Sequence, residues 1–169
     1  IVSSYSGNTE ETLSSFYRAS ERGVKIFGIT TGGKLDQILK EKNIPSYIFN
    51  PKNNPSKQPR MSIGYASGCI LALLAKIGVF QIDSSEIETA LTQMKRTLRR
   101  NTAKSLSQYL VGKFPILVAS EHLIGVAHAI TNQFNESAKT FSILFDLPEL
   151  NHHLMEGLEN PKSLSNLAH

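Results

Sequence analysis

The sequence predicts an α/β fold in which short parallel sheets are flanked by helices. Near both ends of the chain, short runs of β-branched and aromatic residues alternate with amphipathic helical segments. That alternation is typical of strand–helix–strand crossover units, and therefore of parallel sheets. The middle of the chain lacks such runs and is predicted to be helical. With 169 residues, the chain is long enough to bury a core.

The first part of the chain predicts three strands connected by two helices. The strands are expected at 1–2, 24–30 and 46–49, and the helices at 10–22 and 34–42. The first helix should bury Leu13, Phe16 and Tyr17 on one face. Asn8 or Thr9 is its expected N-cap, because their side-chain oxygens can accept the free N–H groups of a first turn.

The remaining chain predicts a loop, two long helices and a second α/β segment. Residues 50–60 are rich in Pro and Asn and predict a linker or a functional loop. The helix at 61–77 is apolar on all sides and is expected to be buried. The helix at 84–111 is amphipathic, and its expected apolar face comprises Ile87, Leu91, Met94, Leu98 and Leu106. Later elements are expected as strands at 114–119 and 140–145, a helix within 120–138, a loop and helix at 148–158, and a polar tail.

Composition excludes several functional classes. The net charge of +4 suits an anionic small molecule as well as nucleic acid. The densest basic stretch has no interleaved aromatic residues, so a solvated helix face is expected and no nucleic-acid partner. That stretch comprises Lys95, Arg96, Arg99, Arg100 and Lys104. No apolar run reaches the roughly 18 residues that span a bilayer, so no membrane partner is expected.

The number and spacing of cysteine and histidine residues limit the disulfides and metal sites that the chain could form. The lone cysteine, Cys69, excludes an internal disulfide and a multi-cysteine zinc site. It also fits a reducing, cytoplasmic setting. His122 and His128 lie six residues apart, on different faces of a helix, and no metal site is expected from them.

The turn at residues 4–9 is the first candidate site. A strand ends there, a hydroxyl-rich turn follows, and a helix begins, so free backbone N–H groups and the positive end of the helix dipole face the turn. Ser4, Ser6 and Thr9 add hydroxyl groups, and Gly7 lets the backbone approach a ligand closely. The pattern fits a cradle for a phosphate monoester, and it fits an ordinary capped turn equally well.

This turn also resembles a known motif. Ser-x-Ser-Gly-Asn-Thr-x-Glu-Thr at 4–12 resembles the phosphosugar-binding motif of the sugar isomerase (SIS) domain family. Three further blocks, at 58–60, 132–139 and 148–152, resemble in this order the isomerases of that family that contain two SIS domains. The resemblance implies SIS-type parallel sheets, with the end of one SIS domain at 1–50, a linker loop and helices at 51–112, and the start of a second SIS domain at 113–169.

The resemblance also implies roles for six residues. Ser4, Ser6 and Thr9 match the family's phosphate-binding positions. Glu136 matches the base that moves a proton between C1 and C2, a role that suits a carboxylate enclosed in an active site. His152 matches the ring-opening acid/base, which in this family reaches a site formed across a homodimer interface, and Arg60 matches the cation beside the enediolate.

Taken without the resemblance, these residues have ordinary interpretations. Arg60 is then a surface cation, Glu136 a solvated carboxylate near a helix end, and His152 and His153 are loop histidines. The block order favours His152, which directly follows Asn151, over His153.

The activity implied is the interconversion of glucose 6-phosphate and mannose 6-phosphate with fructose 6-phosphate through an enediol, without a metal or nucleotide cofactor. Family members are about twice this length, and an upstream Ser-containing loop and a C-terminal active-site Lys have no counterpart here. The chain is therefore expected to be a fragment with an incomplete catalytic apparatus. The alternatives are a non-catalytic phosphosugar-binding SIS regulatory module and an aminosugar-phosphate isomerase.

Overall fold

The computed structural model describes residues 1–99, 102–157 and 159–163. The chain divides into two compact units, Ile1–Asp83 and Ser84–His169. Each unit has its own short parallel sheet with helices, which confirms the predicted α/β class. The predicted domain boundaries at residues 50 and 112 stay a prediction.

The first unit contains a three-stranded parallel sheet and three helices. Its elements are β1 (Val2–Ser4), α1 (Glu10–Glu21), β2 (Gly28–Thr30), α2 (Gly33–Glu41), β3 (Ser46–Ile48), a 3₁₀ turn (Pro59–Met61) and α3 (Ile63–Lys76). The strand order is β1-β2-β3. Val2 pairs with Gly28, and Gly28 pairs with Ser46, so all three strands end at the same edge of the sheet.

A small apolar core joins α1 and α2 to this sheet. Phe16 of α1 and Leu35 and Leu39 of α2 are fully buried, and they pack with Val2 of β1. The i, i+4 spacing of Leu35 and Leu39 places both on one helix face. A Cβ on Gly28 would overlap the Leu39 side chain, so a glycine there allows α2 to lie close against the sheet.

Two details of this unit differ from the prediction. The predicted strand 24–30 pairs only over Gly28–Thr30, because the register with Val2 leaves residues 24–27 beyond the paired length of β1. Tyr17, predicted to be buried, is 48% exposed. Its ring meets the edge of Phe16, with 5.5 Å between ring centroids, because Phe16 already fills the space between α1 and the sheet.

The helix α3 contradicts the prediction of a buried helix. None of its residues is buried, and Ile63 and Leu71 are exposed. Tyr65 of α3 stacks on Phe49, the residue that follows β3, with 4.8 Å between ring centroids. A helix that is apolar on all sides can be buried only where neighbours surround it, and residues 1–83 do not surround α3 in this way.

The second unit contains a two-stranded parallel sheet and several helices. Its elements are α4 (Ser84–Arg99), α5 (Thr102–Leu110), β4 (Ile116–Ser120), a 3₁₀ turn (Glu121–Leu123), α6 (Ile124–Glu136), β5 (Ile143–Leu147), a π-helical turn (Leu150–Leu154) and a short helical turn α7 (Met155–Gly157). Ile116 pairs with Ile143, and Ser120 pairs with Leu147. Ala119 and Ala127 are buried between β4 and α6.

The strand bounds predicted for this unit need correction. The strands begin two or three residues later than predicted, because the pairing starts at Ile116 and Ile143. The predicted helix 84–111 is described as two helices, with residues 100 and 101 outside the described part. Its expected apolar face stays exposed, from 40% at Ile87 to 84% at Leu98, because the elements of residues 102–157 do not cover it.

Within the described residues, no helix is long and apolar enough to cross a membrane, and no cluster of three His, Cys, Asp or Glu residues could hold a metal ion. Of the basic stretch, Lys95, Arg96 and Lys104 are exposed. Arg100, the Arg99 side chain and the end of the polar tail, residues 164–169, lie outside the described part.

Candidate functional site

The turn between β1 and α1 brings the three predicted phosphate-binding residues together. Ser4 is the last residue of β1, and Thr9 occupies the N-cap position of α1. Their hydroxyl oxygens lie 2.9 Å apart and form a hydrogen bond. Ser4 Oγ also accepts the N–H of Gly7 at 3.1 Å, and Ser6 Oγ accepts the N–H of Asn8 at 3.2 Å. The hydroxyl groups of this turn therefore hold it in shape by hydrogen bonds within the turn. Residues 4–9 are hereafter called the cradle.

Thr9 occupies the N-cap position of α1, as predicted, but its side chain does not form the predicted capping hydrogen bond. Thr9 has extended backbone angles, as an N-cap residue should, but no side chain of the described residues caps this helix. The Thr9 hydroxyl bonds to Ser4 instead. The first-turn N–H groups of α1 have no partner within the helix itself, and a bound anion is one way to satisfy them.

A second loop, Thr31–Gly32, lies directly against the cradle. The carbonyl oxygen of Tyr5 accepts hydrogen bonds from the Thr31 N–H at 3.1 Å and from the Thr31 hydroxyl at 2.7 Å. The carbonyl oxygen of Gly7 accepts the N–H of Leu35 at 2.9 Å. Both loops leave the same edge of a parallel sheet, which is where ligands bind in open α/β folds.

Glycine is required where the two loops touch. Gly7 has a φ of +68°, and a Cβ there would overlap the carbonyl oxygen of Gly32 and lie 2.8 Å from Thr30 Oγ1. Thr30 is fully buried, and its hydroxyl donates to that same Gly32 carbonyl at 2.9 Å. Nothing in the local sequence of residues 31–33 indicates that this loop supports the cradle.

The Pro- and Asn-rich segment is hydrogen-bonded to the cradle. Arg60 lies in the 3₁₀ turn, is half-buried, and donates from Nη1 to Gln58 Oε1 at 3.1 Å. Asn54 is buried, and its Nδ2 donates to the Tyr5 hydroxyl at 3.1 Å. Because Tyr5 is part of the cradle, the loop that carries Arg60 is attached to it. Asn54 and Tyr5 were missed as functional residues, since they lie 49 positions apart and neither is in a charged cluster.

Glu136 lies in the second unit, as the last residue of α6. Its side chain is exposed, so residues 102–157 do not supply the enclosure expected for a catalytic base. The preceding residue, Asn135, anchors this helix end to the sheet. Its side-chain amide donates to the Ser142 carbonyl at 2.9 Å and accepts the Ser142 N–H at 3.2 Å, so it pairs with the backbone as a neighbouring strand would.

His152 lies in the π-helical turn that follows β5, and its side chain is exposed. The structure thus brings Ser4, Ser6 and Thr9 into one cradle with the Arg60 loop attached. Glu136 and His152 belong to the second unit, where Glu136 is the last residue of α6 and His152 lies in the turn that follows β5. The roles assigned to all six residues stay predictions.

Comparison with known proteins shows which isomerases the chain resembles. A model described as the bacterial phospho-glucose isomerase C-terminal SIS domain matches residues 99–169. A bifunctional phosphoglucose/phosphomannose isomerase from Aquifex aeolicus (strain VF5) is 34% identical over 161 residues, covering 94% of this chain and 47% of the relative. The corresponding protein of Caldicellulosiruptor bescii is 35% identical over 177 residues, covering 99% of this chain and 51% of the relative. Over nearly its whole length the chain is similar to about half of these bifunctional phosphoglucose/phosphomannose isomerases, and residues 99–169 match the SIS domain model.

One further relative is named for a different reaction, and one solved structure has a similar fold. A D-glucosamine-6-phosphate 4-epimerase from Sulfolobus acidocaldarius is 32% identical over 157 residues, covering 92% of this chain and 49% of the epimerase. A crystal structure from Clostridium difficile 630, of a protein provisionally named a phosphosugar isomerase, superposes with a TM-score of 0.59 at 15% identity, covering 99% of this chain and 56% of that one. It supports the fold alone. The chain spans about half the length of the curated isomerase-family relatives that it matches.

Proposed function

We propose that this chain forms part of an isomerase that interconverts glucose 6-phosphate and mannose 6-phosphate with fructose 6-phosphate. The observation that carries the proposal is the cradle, with its closed hydroxyl network at a helix N-terminus, in a chain whose relatives are named as isomerases of these sugars. A phosphate ester matches the cradle because it accepts several N–H and O–H bonds and is favoured by the positive end of a helix dipole.

The proposed reaction begins with binding and ring opening. Ser4, Ser6 and Thr9 hold the 6-phosphate, and the first-turn N–H groups of α1 add donors. His152 moves a proton between the ring oxygen and the C1 or C2 hydroxyl, so that the C–O bond breaks and the carbonyl forms. An imidazole suits this step because its ordinary pKa lies near neutral pH.

Proton transfer then interconverts aldose and ketose. Glu136 removes the proton from C2 of the aldose, or from C1 of the ketose, and the electron pair moves to the carbonyl oxygen to form a planar enediolate. Arg60 stabilises that negative charge. The hydroxyl proton of the enediolate moves from one oxygen to the other, and return of the carbon-bound proton to the other carbon completes isomerisation. Return to either face of C2 accounts for both glucose and mannose 6-phosphate. The route consists of general acid–base steps, and no cofactor is part of the proposal.

Two other functions have specific support. The epimerase relative, at a similar level of identity, favours an aminosugar phosphate as an alternative substrate. The exposed position of Glu136 favours a phosphosugar-binding regulatory module, because a sensor needs the cradle but no enclosed base.

Deuterium exchange separates these possibilities. The protein is incubated with fructose 6-phosphate in heavy water, and deuterium at C1 and C2 is followed by NMR. Exchange that accompanies formation of glucose and mannose 6-phosphate is the expected result. Glu136→Gln should slow it by roughly a hundredfold or more, the usual contribution of a general base, and Glu88→Gln, which removes an exposed carboxylate from α4, should not.

Binding of fructose 6-phosphate without exchange, in a folded full-length wild-type protein that contains this chain, would overturn the isomerase in favour of a sensor. Turnover of glucosamine 6-phosphate in place of fructose 6-phosphate would instead support an aminosugar enzyme. Equal rates for Glu136→Gln and wild type would remove Glu136 from the mechanism.

A further inference from the structure

We propose that Asn54 is a positioning residue, which fixes the loop carrying Arg60 to the cradle through Tyr5 on one side and Gln58 on the other. The inference rests on the proposed function only in the role given to Arg60. The attachment itself follows from hydrogen bonds within residues 1–83.

Asn54 is 3% exposed, and both the amide nitrogen and the amide oxygen of its side chain form hydrogen bonds. Its Nδ2 group donates one hydrogen bond to the Tyr5 hydroxyl at 3.1 Å and another to the Gln58 carbonyl oxygen at 2.8 Å. Its Oδ1 accepts the Ser56 hydroxyl at 2.7 Å. A buried amide is costly unless its donors and acceptor are paired. This pairing is specific to asparagine, because aspartate cannot donate and leucine can neither donate nor accept.

Tyr5 gives the attachment a rigid base. Its ring meets the edge of Phe49, with 6.0 Å between centroids, and its carbonyl oxygen holds Thr31. Phe49 is itself buried and forms stacked ring pairs with Tyr47 and with Tyr65. The hydroxyl that Asn54 contacts therefore belongs to a side chain whose ring packs on this aromatic cluster and whose backbone is part of the cradle.

Gln58 connects Asn54 to Arg60 through two hydrogen bonds. The Gln58 carbonyl is held by Asn54, and its side-chain Oε1 accepts the Arg60 guanidinium at 3.1 Å. The Ser62 hydroxyl donates to the Pro59 carbonyl at 2.7 Å, closing the 3₁₀ turn around Arg60. A chain of three hydrogen bonds thus leads from the Tyr5 hydroxyl through Asn54 and Gln58 to the Arg60 guanidinium.

This placement matters most when charge develops on the substrate. A preorganised cation stabilises an enediolate without reorganising during the reaction, whereas a loosely held one must be ordered at that moment. Loss of the attachment should therefore lower kcat more than it raises KM. Loss of a phosphate ligand such as Thr9 should raise KM first.

The test uses Tyr5→Phe, which deletes one hydroxyl and keeps the ring on Phe49, together with Asn54→Ala. We expect kcat for fructose 6-phosphate to fall about tenfold in Tyr5→Phe, since one buried hydrogen bond is worth about 1.4 kcal/mol, and further in Asn54→Ala. In an Arg60→Gln background, Tyr5→Phe should change kcat less than about twofold, because the residue through which it acts is gone. Tyr47→Phe is the matched control: it removes a hydroxyl from the same aromatic cluster, outside the network.

A second readout is independent of turnover. The side-chain Nε–H of Arg60 is followed by NMR relaxation in the wild type and in the same variants. Restricted motion in the wild type and Tyr47→Phe, with greater motion in Tyr5→Phe and Asn54→Ala, supports the attachment even if no sugar is isomerised, which would count against the proposed function alone. Unchanged Arg60 dynamics in both network variants, or a tenfold loss of kcat in Tyr5→Phe that persists in the Arg60→Gln background, would overturn the positioning role.

Discussion

The side-chain oxygen of Asn8 accepts a hydrogen bond from the backbone N–H of Lys34, with 3.0 Å between Oδ1 and N. Lys34 is the second residue of α2, a helix whose own N-cap residue, Gly32, has no side chain to offer. A residue of the cradle therefore caps a helix that begins 25 residues later in the chain. The contact connects the turn before α1 to the start of α2 at the edge of the sheet where both helices begin.

Replacing Asn8 tests this cap. Asn8→Ala should lower the free energy of unfolding by about 1 kcal/mol, the usual cost of losing a side-chain cap. Asn8→Asp should retain stability, because a carboxylate accepts the same bond and is favoured at a helix N-terminus. Urea denaturation measures both, with Asn50→Ala as an exposed control. Calorimetry with fructose 6-phosphate should show weaker binding to Asn8→Asp, since its charge repels the phosphate. Equal destabilisation by Ala and Asp would mean that the oxygen does not cap α2.

Gly7 should be among the least replaceable residues of the first unit. Gly7→Ala places a Cβ against the Gly32 carbonyl oxygen in addition to straining a φ of +68°. Gly23→Ala is the matched control, because its φ is +65° and no atom lies within 4 Å of an added Cβ. We expect a loss of about 1 kcal/mol for Gly23→Ala from backbone strain alone, and about 2 kcal/mol more for Gly7→Ala from the clash. Equal losses in urea denaturation would show that the loops separate freely.

Asn135 should stabilise the second unit and protect the start of β5. Asn135→Ala removes two hydrogen bonds with Ser142 and one with the Thr131 carbonyl. A loss of about 1–3 kcal/mol is expected, because the partners at Ser142 are left unpaired. Hydrogen exchange of the Ser142 N–H should accelerate. Asn132→Ala, at an exposed position of the same helix, should change neither quantity, and slow exchange at Ser142 in Asn135→Ala would contradict this assignment.

Cys69 should react slowly with alkylating reagents at neutral pH. Burial raises the pKa of the Cys69 thiol, because removing water disfavours the thiolate. The neutral thiol thus favours the folded state at pH values below the ordinary thiol pKa, and this contribution is lost as pH rises through the folded-state pKa. The rate of iodoacetamide labelling, measured against pH, should have its midpoint above that of the guanidinium-unfolded chain. A midpoint at or below the unfolded value would contradict the prediction.

Local sequence was sufficient for much of the secondary structure. Helices α1 and α2 begin and end within about one residue of their predicted bounds, because Asn8 and Thr9 precede α1, Gly23 follows it, and the apolar spacing marks the helix faces. Strand bounds were less accurate. Residues 24–27 have strand-like composition, yet pairing depends on which partner strand extends alongside them.

Contacts between residues that are far apart in the sequence could not be predicted from local sequence. Tyr5 and Asn54 are 49 positions apart, and Asn8 and Lys34 are 26 apart, and each pair meets because parallel strands end at one edge of the sheet. The apolar residues of 61–77 predicted a helix correctly, but their number could not indicate which neighbours would cover it.

The sequence by itself determined the α/β class, the two principal helices of the first unit and the grouping of Ser4, Ser6 and Thr9, since these depend on periodicity and on residues adjacent in the chain. The tertiary structure alone decided that Thr9 bonds to Ser4, that Asn8 caps α2, and that Asn54 ties the Arg60 loop to Tyr5. Side-chain hydrogen bonds form between groups that folding brings to within about 3 Å, and such proximity depends on the packing of the whole unit.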